Sequence, residues 1–406
     1  MSETRRITRR SFVLKTAAAT VAVPSLVPGS VLGADDSTAA NDRITMAAIG
    51  VGGRGTGDMG GLMGFGEVQM LATCDPVPEH RDRAKAQVDQ RYGNHDCKTY
   101  SDFREIMARD DIDAVMIGTP DHWHALIGIA ACKSGKDVFS EKPETLTIAE
   151  GRALVEAARR YGRVYSGGSQ RVLGDYGDWP PRVRGGALGE IKGVFVSCGG
   201  PSGDCYLPEE PLPSGLDWEM WLGPAPYRPF HSSLIRGGFR PYRDYSGGGM
   251  TDWGAHRFGA ATFAVGVHKT GPVEVIPPDG KDVTLLTYRY ANGLLMYHGG
   301  TNNITYKGTE GELPGSDRQV TGEVDIERYR GRGGILGDFV ESVRTRQKPF
   351  RDIEIAHRAC TVCHLGNIAY SLNRPLKWDP EKEEIIGDPE ANRWLDRPKR
   401  EPWTLS

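Results

Sequence analysis

No apolar run in this 406-residue chain reaches the ~18 residues that a membrane span needs. Blocks of like charge are missing too. Lys and Arg number 50 and Asp and Glu 53, a formal net charge of −3, so there is no electrostatic footprint for nucleic acid. Cysteine is sparse and scattered, with 7 residues, which argues against a disulfide scaffold. Internal repeats and low-complexity tracts are absent, which excludes solenoids. What is present is glycine, 53 residues, about twice the usual ~7% share. Tight turns and long ordered loops follow. With 38% hydrophobic and 25% charged residues the chain can build a core, and its length suits about two domains.

Residues 1–33 read as an address rather than as fold. Thr8-Arg9-Arg10-Ser11-Phe12-Val13-Leu14-Lys15 carries paired arginines, and a broken apolar stretch follows from Thr16 to Val27. Small residues precede a cut near Ala34. The order resembles a twin-arginine export signal, which implies a periplasmic or otherwise exported protein. Such signals route folded proteins, so a cofactor can travel inside.

Behind this segment, short apolar strands alternate with helical segments. Strands are predicted at Ile44–Ile49, Val68–Thr73, Asp113–Gly118, Asp137–Ser140 and Val164–Ser166. Helices are predicted at Glu79–Tyr92, Trp123–Ser134 and from a Thr147-x-x-Glu150 capping box to Tyr161. The alternation predicts an α/β fold with a doubly wound parallel sheet of the Rossmann type over 42–168. From 174 to 250 the chain is crowded with Gly, Pro and aromatics. Strand-like runs then recur at Ile191–Cys198, Val283–Tyr290, Leu294–His298 and Ile304–Lys307, with Asn292-Gly293 as a hairpin signal. A second α/β domain over 169–375, with an open and largely antiparallel sheet, is expected. It closes with helices Ile335–Arg346 and Ile353–Leu372, and 376–406 is expected as a tail.

Gly50-x-Gly52-x-x-Gly55 follows the first strand directly, with Gly53 and Arg54 inside it. This is where glycines let backbone N–H groups approach a pyrophosphate at a helix N-terminus. Asp75 stands 20 residues beyond Gly55, at the end of the second strand, where an acid bonds ribose hydroxyls. A carboxylate there repels a 2′-phosphate and favours NAD over NADP; Arg54 is the residue that could accept that phosphate. Thr119, Pro120 and Glu141 sit at the same sheet edge and complete the set of cofactor contacts.

Lys142, in Glu141-Lys142-Pro143, also falls at the carboxyl edge of the sheet. A cationic nicotinamide beside it makes loss of its proton easier, so it can shuttle a hydroxyl proton. The competing reading is a solvated lysine paired with Glu141. Asp252 and His256 are four residues apart and share a helix face, where they can position and deprotonate a sugar hydroxyl. The competing reading is a helix-start acid and a buried structural histidine. Tyr242 and Tyr245 are the better pocket candidates of an aromatic loop, with Arg240 and Arg243 as possible donors. Asp121-His122-Trp123-His124 has ligand-type residues without a third and fourth partner. His124 is assigned to substrate or cofactor contact, and no metal is expected. Cys360-x-x-Cys363-His364 matches a haem-attachment pattern, but inside a helix its cysteines read as packing residues.

Taken in order, the strand-linked Gly50-x-Gly52-x-x-Gly55, Asp75, Thr119-Pro120, Glu141-Lys142-Pro143 and Asp252-x-x-x-His256 resemble the Gfo/Idh/MocA family, the glucose–fructose oxidoreductase and inositol dehydrogenase group. The likeness spans most of 43–375. It implies a Rossmann domain, a second domain that carries substrate residues and packs subunits into a homo-oligomer (dimer or tetramer), Lys142 as catalytic proton carrier, and Asp252 and His256 as substrate activators. Glu144 and Asp121 depart from the family pattern. Three functions follow. One is an exported oxidoreductase acting on a sugar, polyol or glycoside with tightly held NAD. Another is an NAD-dependent glycoside hydrolase that works by transient oxidation and elimination. The last is a non-catalytic sugar-binding relative.

Overall fold

Six short strands form the first sheet: β1 (Ile44–Ile49), β2 (Val68–Cys74), β3 (Lys98–Tyr100), β4 (Ala114–Ile117), β5 (Asp137–Ser140) and β6 (Tyr165–Gly167). All pairs are parallel and the order is β3-β2-β1-β4-β5-β6, the doubly wound Rossmann arrangement. The computed structural model describes residues 38–39, 42–316, 320 and 324–405. The paired arginines and the apolar stretch after them lie outside the described residues.

The strands are apolar runs because both faces of the sheet are covered. Ala47 and Ile49 point to one face, with Val115 and Ile117, against Leu126, Ile127 and Leu154. Those three belong to helices α4 (Asp121–Lys133) and α5 (Ile148–Arg160). Met46 and Ala48 point the other way, with Met116, onto Met59 and Leu62 of α1 (Gly53–Leu62). Helix α2 (Pro78–Tyr92) follows β2, and the short α3 (Phe103–Met107) follows β3. The capping box forms as predicted. Thr147 Oγ1 accepts from Glu150 N at 3.2 Å, and Glu150 Oε2 accepts from Thr147 N at 3.2 Å.

The second sheet has eight strands: β7 (Ile191–Val196), β8 (Glu274–Ile276), β9 (Leu286–Arg289), β10 (Leu295–His298), β11 (Ile304–Gly308), β12 (Gly311–Leu313), β13 (Leu376–Asp379) and β14 (Glu384–Ile385). Their order is β12-β11-β7-β10-β9-β8-β13-β14. Of the pairings only β7 with β10 is parallel. The β9–β10 hairpin turns through Ala291-Asn292-Gly293, with Gly293 left-handed at φ 85° and its N–H donated to Tyr290 O at 3.0 Å. Helices α6 (Gly254–Ala264) and α8 (Ile353–Leu372) cover one face of this sheet. The opposite face shows Phe195 stacked on Tyr297 at 4.8 Å, both half-buried.

Two segments cross back to the first sheet. Helix α7 (Gly334–Thr345) lays Ile335, Phe339 and Val340 beside Met59 and Leu62. Within 376–405 the chain supplies β13 and β14 to the second sheet, and Trp403 packs on Trp123 at 4.7 Å between ring centroids. Strands of 4 and 2 residues are too short to show alternation, which is why the sequence pattern passed over them.

Candidate functional site

Sheet order reverses between β1 and β4, so their carboxyl ends diverge and open a crevice. A cleft of about 490 Å³ occupies that position. Its floor is the turn after β1. Gly50 is left-handed at φ 78°, and a Cβ there would lie 2.4 Å from Thr119 N; a Cβ on Gly55 would lie 1.9 Å from Gly50 O. The protein itself demands those two glycines. Gly52 and Gly53 are different. A Cβ on Gly53 meets nothing within 4 Å, and one on Gly52 meets only the His80 ring at 3.7 Å. Both line the cleft, so a small residue there serves what enters it. A phosphate group at the N-terminus of α1 fits this cradle.

Asp75 is buried at the end of β2 and lines the same cleft. Its Oδ2 accepts from Val51 N at 2.9 Å and its Oδ1 from Val77 N at 2.9 Å. The carboxylate therefore also staples the glycine turn. Arg54 bridges two acids, with Nε 3.0 Å from Glu141 Oε1 and Nη2 2.8 Å from Asp58 Oδ1. Burial first, then the neighbouring Glu141, pushes the Asp58 carboxyl well up. Sequence reasoning had no signal for Asp58, which reads as an ordinary helix acid.

Lys142 lines the cleft after β5. Its ammonium donates to Asp252 Oδ1 at 2.5 Å and to Asp252 O at 2.9 Å, and Arg240 Nε lies 3.2 Å from the same Oδ1. Burial opposes ionisation of Asp252, but the Lys142 and Arg240 charges outweigh it and hold the carboxyl below its usual range. The competing reading, Lys142 paired with Glu141, is replaced: Glu141 pairs with Arg54. Asp252 ends a helical turn, Gly249–Asp252. The glycines before it matter, since a Cβ on Gly248 would lie 2.5 Å from Ser202 N. The helix resumes at α6 and brings His256 round. His256 Nδ1 meets Ser169 Oγ at 2.9 Å, and that hydroxyl lies 3.2 Å from Ala255 O. When the hydroxyl proton goes to Ala255 O, Nδ1 carries the imidazole hydrogen and Nε2 is left as an acceptor; when it goes to Nδ1, the tautomer is the reverse. Burial, then the Lys142 and Arg171 charges, pushes the ring down to about 2. Ser169 was missed; its only sequence mark is its place just beyond β6.

Other expectations are corrected. Tyr245 is fully buried against Trp221 and His122, at 5.2 and 5.3 Å, and Tyr242 is half-buried on the same cluster. Neither is among the residues lining the cleft; packing won because the loop has no other core. Trp253, next to Asp252 in the chain, is 39% accessible with Arg171 and Arg257 5.0 and 4.8 Å from its ring centroid, and it too is absent from the cleft lining. His124 lines the cleft, but Pro143 O and Thr119 O lie 2.6 and 2.8 Å from its two ring nitrogens. It braces the two loops rather than offering a free nitrogen. His122 Nε2 faces Trp221 O at 3.1 Å. Glu144 is fully buried away from the cleft and accepts from Cys360 Sγ at 3.1 Å. Cys360 and Cys363 are buried in α8, and the His364 ring faces Thr145 O at 3.1 Å, which is the packing reading of that motif. Asp121, by contrast, does line the cleft with Thr119 and Pro120.

Comparison with known proteins adds identity to this geometry. Residues 44–169 match the family model "Oxidoreductase family, NAD-binding Rossmann fold", and 178–405 match "Oxidoreductase family, C-terminal alpha/beta domain". The chain belongs to the Gfo/Idh/MocA oxidoreductase family. Among curated proteins, one named glycosyl hydrolase family 109 protein from Shewanella putrefaciens is 37% identical over 122 residues, 29% of this chain and 27% of that protein. Its counterpart from Shewanella sp. (strain W3-18-1) is 34% identical over a similar span. The match thus spans about a quarter of these relatives' length. Gfo/Idh/MocA-type folds recur among solved structures. Aldose–aldose oxidoreductase from Caulobacter crescentus, complexed with glycerol, gives a TM-score of 0.58 at 20% identity over 82% of this chain and 99% of that one. Scyllo-inositol dehydrogenase from Lactobacillus casei, with bound NAD(H) and scyllo-inositol, gives 0.58 at 16% over 82% and 99%.

His256 offers a pH test. Its folded value lies below the ~6.5 of an unfolded histidine, so the ring binds a proton only on unfolding. Stability tied to it is lost as pH falls through 6.5, by up to ~1.4 kcal/mol per pH unit. Imidazole NMR is expected to show a neutral ring down to pH 4. A His256 resonance titrating near pH 6.5 would contradict this geometry.

Proposed function

We propose that the chain oxidises a hydroxyl of a sugar, polyol or glycoside, with NAD held tightly in the cleft. The observation that carries the reading is the Lys142–Asp252 contact at 2.5 Å, which joins a residue at the nucleotide-binding sheet edge to one from the second lobe. When bound, the dinucleotide supplies a nicotinamide ring that accepts the hydride. The rest is the work of this chain. Gly52 and Gly53 leave room for the pyrophosphate, and Asp75 favours NAD over NADP by repelling a 2′-phosphate. With a cationic nicotinamide beside it, Lys142 first gives one ammonium proton to solvent; a substrate hydroxyl then hands its proton to the neutral amine, and Asp252 stabilises the ammonium that re-forms. His256, neutral, shares a hydrogen bond with the substrate at Nε2 without competing for the proton. The hydrolase reading draws support from the named Shewanella relatives, which match 122 residues of this chain.

The test is direct. Denaturing the purified protein is expected to release a nucleotide with the mass of NAD. Lys142→Met is expected to keep that nucleotide and to lower nucleotide reduction by a panel of polyols and glycosides by on the order of 100-fold or more. Unchanged reduction in this variant overturns the proton-carrier role. A released mass matching NADP overturns the cofactor choice.

The order of basic, apolar and small residues in 1–33 supports export by the twin-arginine route. Where free NAD is not supplied, a retained cofactor must be restored within each cycle. Arg9→Lys with Arg10→Lys is expected to leave the protein in the cytoplasmic fraction; normal export of that variant refutes the assignment. The half-buried Phe195–Tyr297 face supports self-association into a dimer or tetramer. Sedimentation as a monomer would refute it.

A further inference from the structure

Asp121 is the first residue of α4 and lines the cleft, yet it is only 4% accessible. Its Oδ2 is buried and has no hydrogen-bond partner, and its carboxyl otherwise interacts with the Ser246 hydroxyl. An orphaned carboxylate oxygen in a ligand cleft is costly unless something entering the cleft satisfies it. The charged groups around it come from three elements: Lys142 from the loop after β5, Arg240 from the loop across the cleft, and Asp252 from the turn before α6. On its own helix, His122 and His124 are both tied to backbone carbonyls. Lys142 and Asp252 are engaged with each other and with Arg240, so Asp121 is left over from the chemistry of hydroxyl oxidation.

We propose that Asp121 is a second acid–base group of the cleft, exchanging a proton with the carbon next to the one that Lys142 serves. The proposal rests on the oxidation reading, with the nicotinamide dinucleotide as oxidant. Once the hydroxyl carbon is a carbonyl, the adjacent C–H is acidic. The Asp121 carboxylate takes that proton, the C–H electron pair becomes the enolate double bond, and the carbonyl π pair moves to oxygen beside the Lys142 ammonium. Return of the proton reverses the step, and no other bond breaks. An enolate is the branch point to loss of a substituent from the next carbon or to inversion at the exchanging carbon. Burial, opposed by the Ser246 hydrogen bond and the Arg240 charge, pushes the Asp121 carboxyl up to about 7. That is basic enough for such work near neutral pH.

The experiment uses the full chain with its retained nucleotide. It is incubated in D2O with D-glucose, myo-inositol and p-nitrophenyl hexosides, and read by nucleotide absorbance and by mass and NMR of the recovered sugar. The wild type is expected to reduce its nucleotide and to place deuterium on the carbon beside the oxidised one, with exchange rising through about pH 7. Asp121→Asn is expected to lose on the order of 100-fold in exchange and a smaller factor in nucleotide reduction. Should Asp121→Asn fail to retain nucleotide, Asp121→Glu decides: exchange with nucleotide bound supports the assignment, and bound nucleotide without exchange overturns it. Reduction with no deuterium uptake in the wild type, or equal uptake in Asp121→Asn, overturns the role of Asp121 alone. No reduction by any sugar in the wild type overturns the oxidation reading and the proposal that rests on it.

Discussion

One ion pair organises the site. Lys142 leaves the edge of the parallel sheet and Asp252 comes from the turn before α6, and they meet at 2.5 Å with little exposure on either side. Two partly buried charges are expensive to take out of water unless they are paired and further bonded. Here the ammonium also reaches the Asp252 carbonyl and the carboxylate also reaches Arg240. The pair fixes how far the second lobe stands from the glycine turn, and so where a bound molecule's reactive end can lie.

Around that pair the ionisable groups are sorted by environment. Asp252 is held ionised by Lys142 and Arg240, while His256, 3% accessible and near Lys142 and Arg171, is held neutral. Asp121 has burial without a dedicated cation and moves the opposite way from Asp252. Three titratable side chains within one site thus occupy three protonation regimes, a separation that acid–base chemistry at one pH requires. Charge and burial, not residue type, assign the roles.

Much of this was legible in the sequence because local physics repeats there. β1 and β4 read as apolar runs because both faces are buried, and the glycine turn follows directly. The Thr147–Glu150 box and the Asn292-Gly293 turn are local codes that the structure reproduces. What the sequence hid was decided by distance along the chain. Whether Lys142 pairs with Glu141 or with Asp252 depends on Arg54 claiming Glu141 from 87 residues away. Tyr245 and Trp253 have the same apolar character on paper, yet one became core and the other stayed exposed because only Tyr245 met the Trp221 cluster. β13 and β14 escaped notice since two to four residues carry no readable period.

Helix α7 has a consequence for the order in which the molecule can mature. It closes one side of a sheet whose strands were completed more than 150 residues earlier, and Trp403 seals part of the other side. A ribosome releasing this chain would present a nucleotide lobe with Met59 and Leu62 still wet until residues past 340 emerged. The N-terminal lobe is therefore not a detachable module. Its finished core is a product of segments far apart in the chain, so the first sheet is fully covered only when the last of them is in place.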